Sequence, residues 1–517
     1  MSKKRPDDDL PRRKRRVPAW WADAKLGIFV HWTPASVPGF APTGRDIGSL
    51  MVDPGPHPLS EIPYSEWYEN SLRFENSSVA RFHREHYGSR PYRAFADEFV
   101  AGLERWDPTA WARIFAATGA RYVVLVTKHH DGWCLWPSEV TNPHRVGWQS
   151  QRDIVGELAE AVRGEGMRFG VYYSGAYDWS FDDSAIGTVG SGLRAIPGGE
   201  YVDYAEAHVR ELIDRYRPSV LWNDIGWPAP KARLDELFRY YFAAVPDGVV
   251  NDRWMPTGRL LKLAANPRLS GLVDRALRAS AEKSGGLVPP EPPFYGYQTP
   301  EFVEFDEIRS TPFEIVRGFD RGFGYNQTST EDDFISRRDL ELLLVGAAAT
   351  GGNLMANVGP RGIDASIPEE QMRRLRWLAE IEPLIAMALR DTRPWVIPKF
   401  CDPHGTEVRF VARGESVFAW IWPSRTTTDG AAAETTTGSL VLPLRATART
   451  RLLVADPDER TVDGSTSDGI AWCPLSIDTV HLGSRIVVPN DVMTPPATDD
   501  PRPRVLRIDH AVAMPFS

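Results

Sequence analysis

The sequence predicts a (β/α)8 barrel followed by an antiparallel β-sandwich, and three observations carry that prediction. From residue 25 to about 381, short apolar runs alternate with longer amphipathic ones, the pattern of strand-then-helix units around a parallel sheet. Eight runs read as strands, the count that closes a barrel. Beyond residue 391 the helical period stops and short strand-like runs follow at close intervals, as in a sandwich. With 517 residues, 42% of them hydrophobic, the chain is long enough for one large core and a smaller second one.

In chain order, residues 1–17 are almost all charge and proline ("MSKKRPDDDLPRRKRR") and read as a disordered basic tail. No apolar stretch of signal-peptide length follows, so the expected location is cytoplasmic. The barrel is placed at 18–391. Its expected strands are "KLGIFVHW" (25–32), "RYVVLVT" (121–127), "RFGVYYS" (168–174), "SVLWND" (219–224), "GVVNDRW" (248–254), "YGYQTPE" (295–301), "GFGYN" (322–326) and "GNLMANVG" (352–359). Between them, stretches such as "DPTAWARIFAATGA", "RDIVGELAEAVRGEGM" and "SRRDLELLLVGAAAT" repeat apolar residues at three and four, which predicts helices. "PEEQMRRLRWLAEI" (368–381) is the last of these. The sandwich is placed at 392–517, with "TEVRFVA", "SVFAWIW", "GSLVLPL", "TRLLVAD", "SRIVVP" and "RVLRID" as strands and the low-complexity "TTTDGAAAETTTG" as a loop.

A net charge of -9 disfavours nucleic acid and anionic membranes as partners, and no apolar window is long enough to span a bilayer. The three cysteines, Cys134, Cys401 and Cys473, have neither disulfide-framework nor zinc spacing and read as reduced, buried thiols.

A barrel brings the C-terminal ends of its strands to one mouth, where such folds do chemistry. Those ends carry His31 and Trp32, then His129, His130 and Asp131, then Tyr172, then Trp222 and Asp224, then Arg253, Glu301 and Phe323. The long segment after the first strand adds Glu66 and Trp67. A single aromatic or histidine at a strand end is commonly a packing residue. Polar and aromatic groups on seven of eight strand ends argue for a ligand, because each buried polar group left without a partner costs about 1 to 3 kcal/mol.

The inventory fits sugar chemistry. Flat rings (Trp32, Trp67, Trp222, Phe323) suit the C–H face of a pyranose, and His, Arg and Tyr suit its hydroxyls. Asp224 and Glu301 supply the carboxyl pair that glycoside hydrolysis needs; a retaining enzyme would hold them about 5 to 5.5 Å apart. "KHHDGW" lacks the spacing for two imidazoles to face one zinc, "HREH" (83–86) could put two on one helical face, and no third ligand suggests itself, so no metal is expected; no glycine pattern matches a phosphate-cradling loop after a strand, so no nucleotide cofactor is expected either.

The chain resembles the α-L-fucosidases of glycoside hydrolase family 29 over about residues 18 to 400. The motifs that carry the likeness are "KLGIFVHW…SVPGFAPTG", "YSEWYENS", "TKHHDGWCLWPS", "LWNDIGWP", "VVNDRW", "FGYN" and "GGNLMANVGP". The resemblance implies a retaining exo-hydrolase of terminal α-L-fucose, acting on fucosylated oligosaccharides or glycosides and commonly multimeric. It makes Asp224 the nucleophile with Trp222 as one wall, and Glu301 of "TPEF" the acid/base, with Glu66 as the alternative. It makes His31, Glu66, Trp67, His129, His130, Tyr172 and Arg253 the sugar contacts, with Phe323 near the 6-methyl group. Two departures stand out. Thr33 replaces a common Gly and adds a side chain by the pocket, and 255–293 is longer than usual and could shape the leaving-group side. A fucose-binding lectin and a hydrolase of a galactose-configured sugar are the competing readings.

Overall fold

The computed structural model describes residues 15–258 apart from 46 and 54, residue 275, residues 291–422 apart from 404, and the stretches 440–445, 450–456, 471–474, 485–488, 503–510 and 512–513. Seven parallel strands form the first sheet: β1 (Leu26–Val30), β2 (Tyr122–Lys128), β3 (Arg168–Ser174), β4 (Val220–Asp224), β5 (Val249–Val250), β6 (Phe313–Gly318) and β7 (Gly352–Val358). They lie in the order β5-β4-β3-β2-β1-β7-β6. Six of them fall on expected strands, and two expectations need correction.

Residues 295–301 form no continuous strand. Their backbone instead bridges the two edges of the sheet: Gly296 N donates to Val250 O at 2.9 Å, Gln298 N to Pro312 O at 2.9 Å and Val316 N to Pro300 O at 2.9 Å. Pro300 has no N–H to give, so the segment makes single bridges rather than a ladder, yet it fills the sixth place, between β5 and β6, and closes the ring. The run 322–326 is a loop, and β6 takes the seventh place. Its "FEIVRG" puts Glu314 in the barrel interior, where Tyr122 Oη donates to it at 2.5 Å. That bond lets an acid sit inside a strand that otherwise reads as apolar.

Side chains alternate across each strand. On β4, Val220 and Trp222 point into the barrel while Leu221 joins the layer between sheet and helices. The same rule sends Phe29 inward on β1 and leaves Ile28, Val30 and Trp32 outside. Around the sheet, helices start on polar residues whose side chains cap them: Asp107 for Pro108–Ala117, Asp153 for Ile154–Gly164 and Ser336 for Arg337–Thr350. No helix among the described residues is long and apolar enough to cross a membrane.

After the helix Glu382–Ala388 the chain turns antiparallel. A six-stranded sheet begins with β8 (Arg393–Cys401), β9 (Glu407–Arg413) and β10 (Ser416–Trp422), and a three-stranded sheet accompanies it. Trp420 and Trp422 of β10 donate their indole N–H groups to Ala388 O and to Glu341, which seats the sheet against the barrel's helices. The low-complexity loop, nearly all of the 255–293 stretch and residues 1–14 of the basic tail lie outside the described residues. From Arg15 the chain is packed: its guanidinium stacks on Phe242 and donates to Pro246 O. Cys134 is buried as expected, but Cys401 is exposed, because it ends an edge strand of the six-stranded sheet.

Candidate active site

The mouth is built on the ends of β1 to β4, and each strand contributes by alternation. Inward-facing Phe29 continues to His31, Trp222 continues to Asp224, and Tyr172 stands beside them on β3. The rings form a continuous wall: His129 stacks on Tyr172 at 5.6 Å between centroids, Tyr172 on Trp222 at 5.3 Å, and His31 on Phe323 at 5.2 Å. An irregularity in the β2–β3 register between Val126 and Lys128 breaks the alternation there. Lys128 is turned outward over Tyr173, where it pairs with Asp178 at 2.8 Å, both fully buried. His129 and His130 follow at the mouth.

Asp224 is held from three directions. Tyr172 Oη donates to its Oδ2 at 2.8 Å, the Ile225 backbone N–H to its Oδ1 at 2.8 Å, and Arg253 Nη1 reaches Oδ1 at 3.3 Å. His130 Nε2 stands 4.0 Å from Oδ2. Ile225 is forced to φ 65°, a left-handed conformation that is costly for a β-branched residue, and this turn aims its N–H back at the carboxylate.

Arg253 links the two acids. Its Nη2 donates to Glu301 Oε1 at 2.6 Å and to Thr299 O at 2.9 Å, and its Nε to Thr299 Oγ1 at 3.1 Å. Glu301 also accepts from Tyr64 Oη at 3.5 Å. Burial, reinforced by the neighbouring Asp224 charge, raises the Glu301 pKa above the usual carboxyl value even though Arg253 opposes the shift. Glu66 is buried deeper. Its Oε2 accepts from Gly324 N at 2.9 Å, and burial pushes its pKa up to about 7. A side chain at Gly324 would collide with Ser65 and Glu66, so the glycine of "FGYN" is what lets the loop close over the acid. Burial lowers His31 to about 4 and His130 to about 3, so both imidazoles are neutral near pH 7.

The structure thus brings together His31, Glu66, Trp67, His129, His130, Tyr172, Trp222, Asp224, Arg253, Glu301 and Phe323. Trp67 joins through its edge contact with His130 at 5.3 Å. Thr33 lines a small pocket with His31, Ser65, Glu66 and Gly324, beside the site as expected. Trp32 does not belong to the mouth: it faces outward and packs on Trp111 at 4.9 Å. Asp131 is also elsewhere, accepting from Tyr92 Oη at 2.7 Å. Of the two indoles flanking Asp224 in sequence, only Trp222 lies under it, since Trp227 packs on Trp254 in the outer layer.

Sequence reading missed Tyr64, Ser174 and Asn357. Ser174 and Asn357 sit at the ends of β3 and β7, where the barrel rule points to them, but small neutral side chains carry no further signal in sequence. Sequence spacing suggested no third metal ligand, and the fold brings one into reach from far along the chain. His31, Glu66 and His129 each offer a donor atom within 4.8 Å of the others, as do His129, His130 and Asp224. "HREH" makes no such group: His83 is bonded to Tyr68 and Arg90 O, and His86 stacks on Phe82.

The Alpha-L-fucosidase family model matches residues 3–381. The chain is 28% identical over 426 residues to Alpha-L-fucosidase of Branchiostoma floridae, covering 80% of each, and 29% identical to human Plasma alpha-L-fucosidase, covering 74% of this chain and 71% of that one. Among solved structures it is similar to the Thermotoga maritima alpha-fucosidase in complex with a mechanism-based inhibitor, at 33% identity and a TM-score of 0.72, covering 96% of this chain and 97% of that one. The same Thermotoga protein in complex with fucose superposes with a TM-score of 0.72, at 33% identity over 95% and 97% of the two chains.

Proposed function

The chain belongs to the alpha-L-fucosidase family and is an alpha-L-fucosidase by that membership, and we propose that it works by double displacement through Asp224 and Glu301. Asp224 attacks the anomeric carbon of a terminal α-L-fucosyl residue while Glu301 protonates the departing glycosidic oxygen. Water, deprotonated by Glu301, then cleaves the fucosyl-aspartate ester, and the released sugar keeps its α configuration.

The observation that carries this reading is the Arg253 guanidinium shared by Asp224 and Glu301. It supports two carboxyls facing one sugar, each in a different role. Three donors hold Asp224, so its direction is set before substrate arrives. Glu301 has its pKa raised and lies nearer the rim than Glu66, as an acid reaching a leaving group must. The Phe323 ring, stacked on His31, is the apolar partner for the 6-methyl group that separates fucose from a galactose-configured sugar, a distinction worth roughly 1 to 3 kcal/mol.

The test is the anomeric form of the first product. NMR during hydrolysis of a chromogenic α-L-fucoside should show α-L-fucose before mutarotation. β-L-Fucose as the first product would mean single displacement and remove Asp224 from the nucleophile's role.

A further inference from the structure

The hydrogen-bond network fixes which ring nitrogens face the mouth. Asn357 spends its amide N–H on Phe323 O at 2.6 Å, so its Oδ1 accepts from His31 Nδ1 at 2.5 Å. His31 Nδ1 therefore carries the proton, and Nε2 is a bare lone pair. The same logic holds for His130: Ser174 Oγ donates to Tyr177 O at 2.8 Å, so it accepts from His130 Nδ1 at 2.6 Å and leaves Nε2 unprotonated. His129 Nδ1 is buried with no hydrogen-bond partner at all. Together with the Glu66 carboxyl, the wall around His31 presents two bare imidazole lone pairs, the Nε2 atoms of His31 and His130. Such a surface wants hydroxyl donors or a cation.

We propose that His31, Glu66 and His129 form a binding site for a borderline-soft divalent cation, Zn2+ above all, which occupies the sugar's place and inhibits the enzyme. Two neutral imidazoles and one carboxylate are a donor set zinc takes readily. His31 already has the outer hydrogen bond that orients metal-bound histidines, through Asn357. The three donor atoms lie within 4.8 Å of one another. Tetrahedral bonds of about 2.1 Å put donor atoms about 3.4 Å apart, so a cation draws the three together by up to about 1.4 Å, and His129, whose Nδ1 makes no hydrogen bond, breaks none in moving. Neighbouring positive charge is already matched: Lys128 by Asp178, and Arg253 by Asp224 and Glu301. The alternative set, His129, His130 and Asp224, is a poorer host because its carboxylate is committed to Arg253, Tyr172 and the Ile225 N–H.

The site rests on the hydrogen-bond network and not on the proposed reaction; only its competition with sugar depends on fucose binding. Zn2+ is titrated calorimetrically into the purified chain with and without saturating L-fucose, and Co2+ is followed by its visible spectrum. The expected result is one high-affinity ion per chain, an intense four-coordinate Co2+ spectrum, and affinity reduced at least about tenfold by fucose. Glu66→Gln should weaken Zn2+ at least about tenfold, since loss of an outer-shell partner alone costs that much, while Asp224→Asn should not. Retained affinity in Glu66→Gln, or loss only in Asp224→Asn, overturns the proposal, as does a weak six-coordinate Co2+ spectrum on the unaltered chain. Zn2+ bound through Glu66 but indifferent to fucose upholds the metal site and counts against the sugar's placement.

Discussion

Arg253 and Glu301 meet through a 2.6 Å hydrogen bond that holds a half-buried acid in place without overcoming the effect of its desolvation. The Glu301 carboxyl keeps a raised pKa beside a fixed cation, and that combination suits a group which must first give and then take a proton. Glu301→Ala should therefore be selective in its damage. Natural fucosides, with poor leaving groups, should lose about 10²- to 10⁴-fold in kcat/KM, while aryl fucosides with acidic phenols should lose far less. Equal losses on both substrates would assign the proton transfer elsewhere, with Glu66 next in line.

For Asp224, the expected consequence of Asp224→Gly is loss of turnover by at least on the order of 10³-fold. Added azide should restore consumption of an aryl α-L-fucoside by attacking from the vacated side, and the product should be β-fucosyl azide. Chromatography and NMR of the product decide the matter. An α-azide, or substantial activity without azide, would show that another group performs the attack.

Tyr172 donates to the oxygen of Asp224 that faces His130. Tyr172→Phe preserves the ring that stacks on His129 and Trp222 and removes only that bond. A hydrogen bond to a charged group contributes roughly 1.5 to 3 kcal/mol, so kcat should fall by about tenfold or more with little change in KM. A rise in KM at constant kcat would mean the phenol binds sugar rather than aiming the nucleophile.

Glu66 makes stability depend on pH. Burial raises its pKa from 4.5 to about 7, so the folded protein holds this proton more tightly than the unfolded chain does. The associated stability is complete below about pH 4.5 and is lost as pH rises through about 7. Glu66→Gln keeps an acceptor for Gly324 N and never ionises. Thermal melts should show the variant equal to the parent near about pH 4 and more stable near about pH 8, by up to about 3 kcal/mol. A constant difference across that range would place the Glu66 proton outside the folding equilibrium.

What the sequence by itself determined was local. Strand-helix alternation located β1 to β5 and β7, apolar residues recurring at three and four located the helices, and the strand-end rule picked out Asp224, Arg253 and the histidines. These are short-range signals: a period of two or of 3.6 is written in consecutive residues. Tertiary structure decided the rest, because closure and convergence depend on partners far away in sequence. Residues 295–301 complete the barrel only because Val250, Pro312 and Val316 stand on either side of them. Glu314 can occupy a strand because Tyr122 faces it across the barrel. Trp32 lost its expected place at the mouth to the alternation that put His31 there, and His31, Glu66 and His129 came together from two strand ends and a short 3-10 helix. Spacing along one chain cannot encode such a meeting; it arises when hydrogen bonds and packing close the ring and fix which side of each strand faces in.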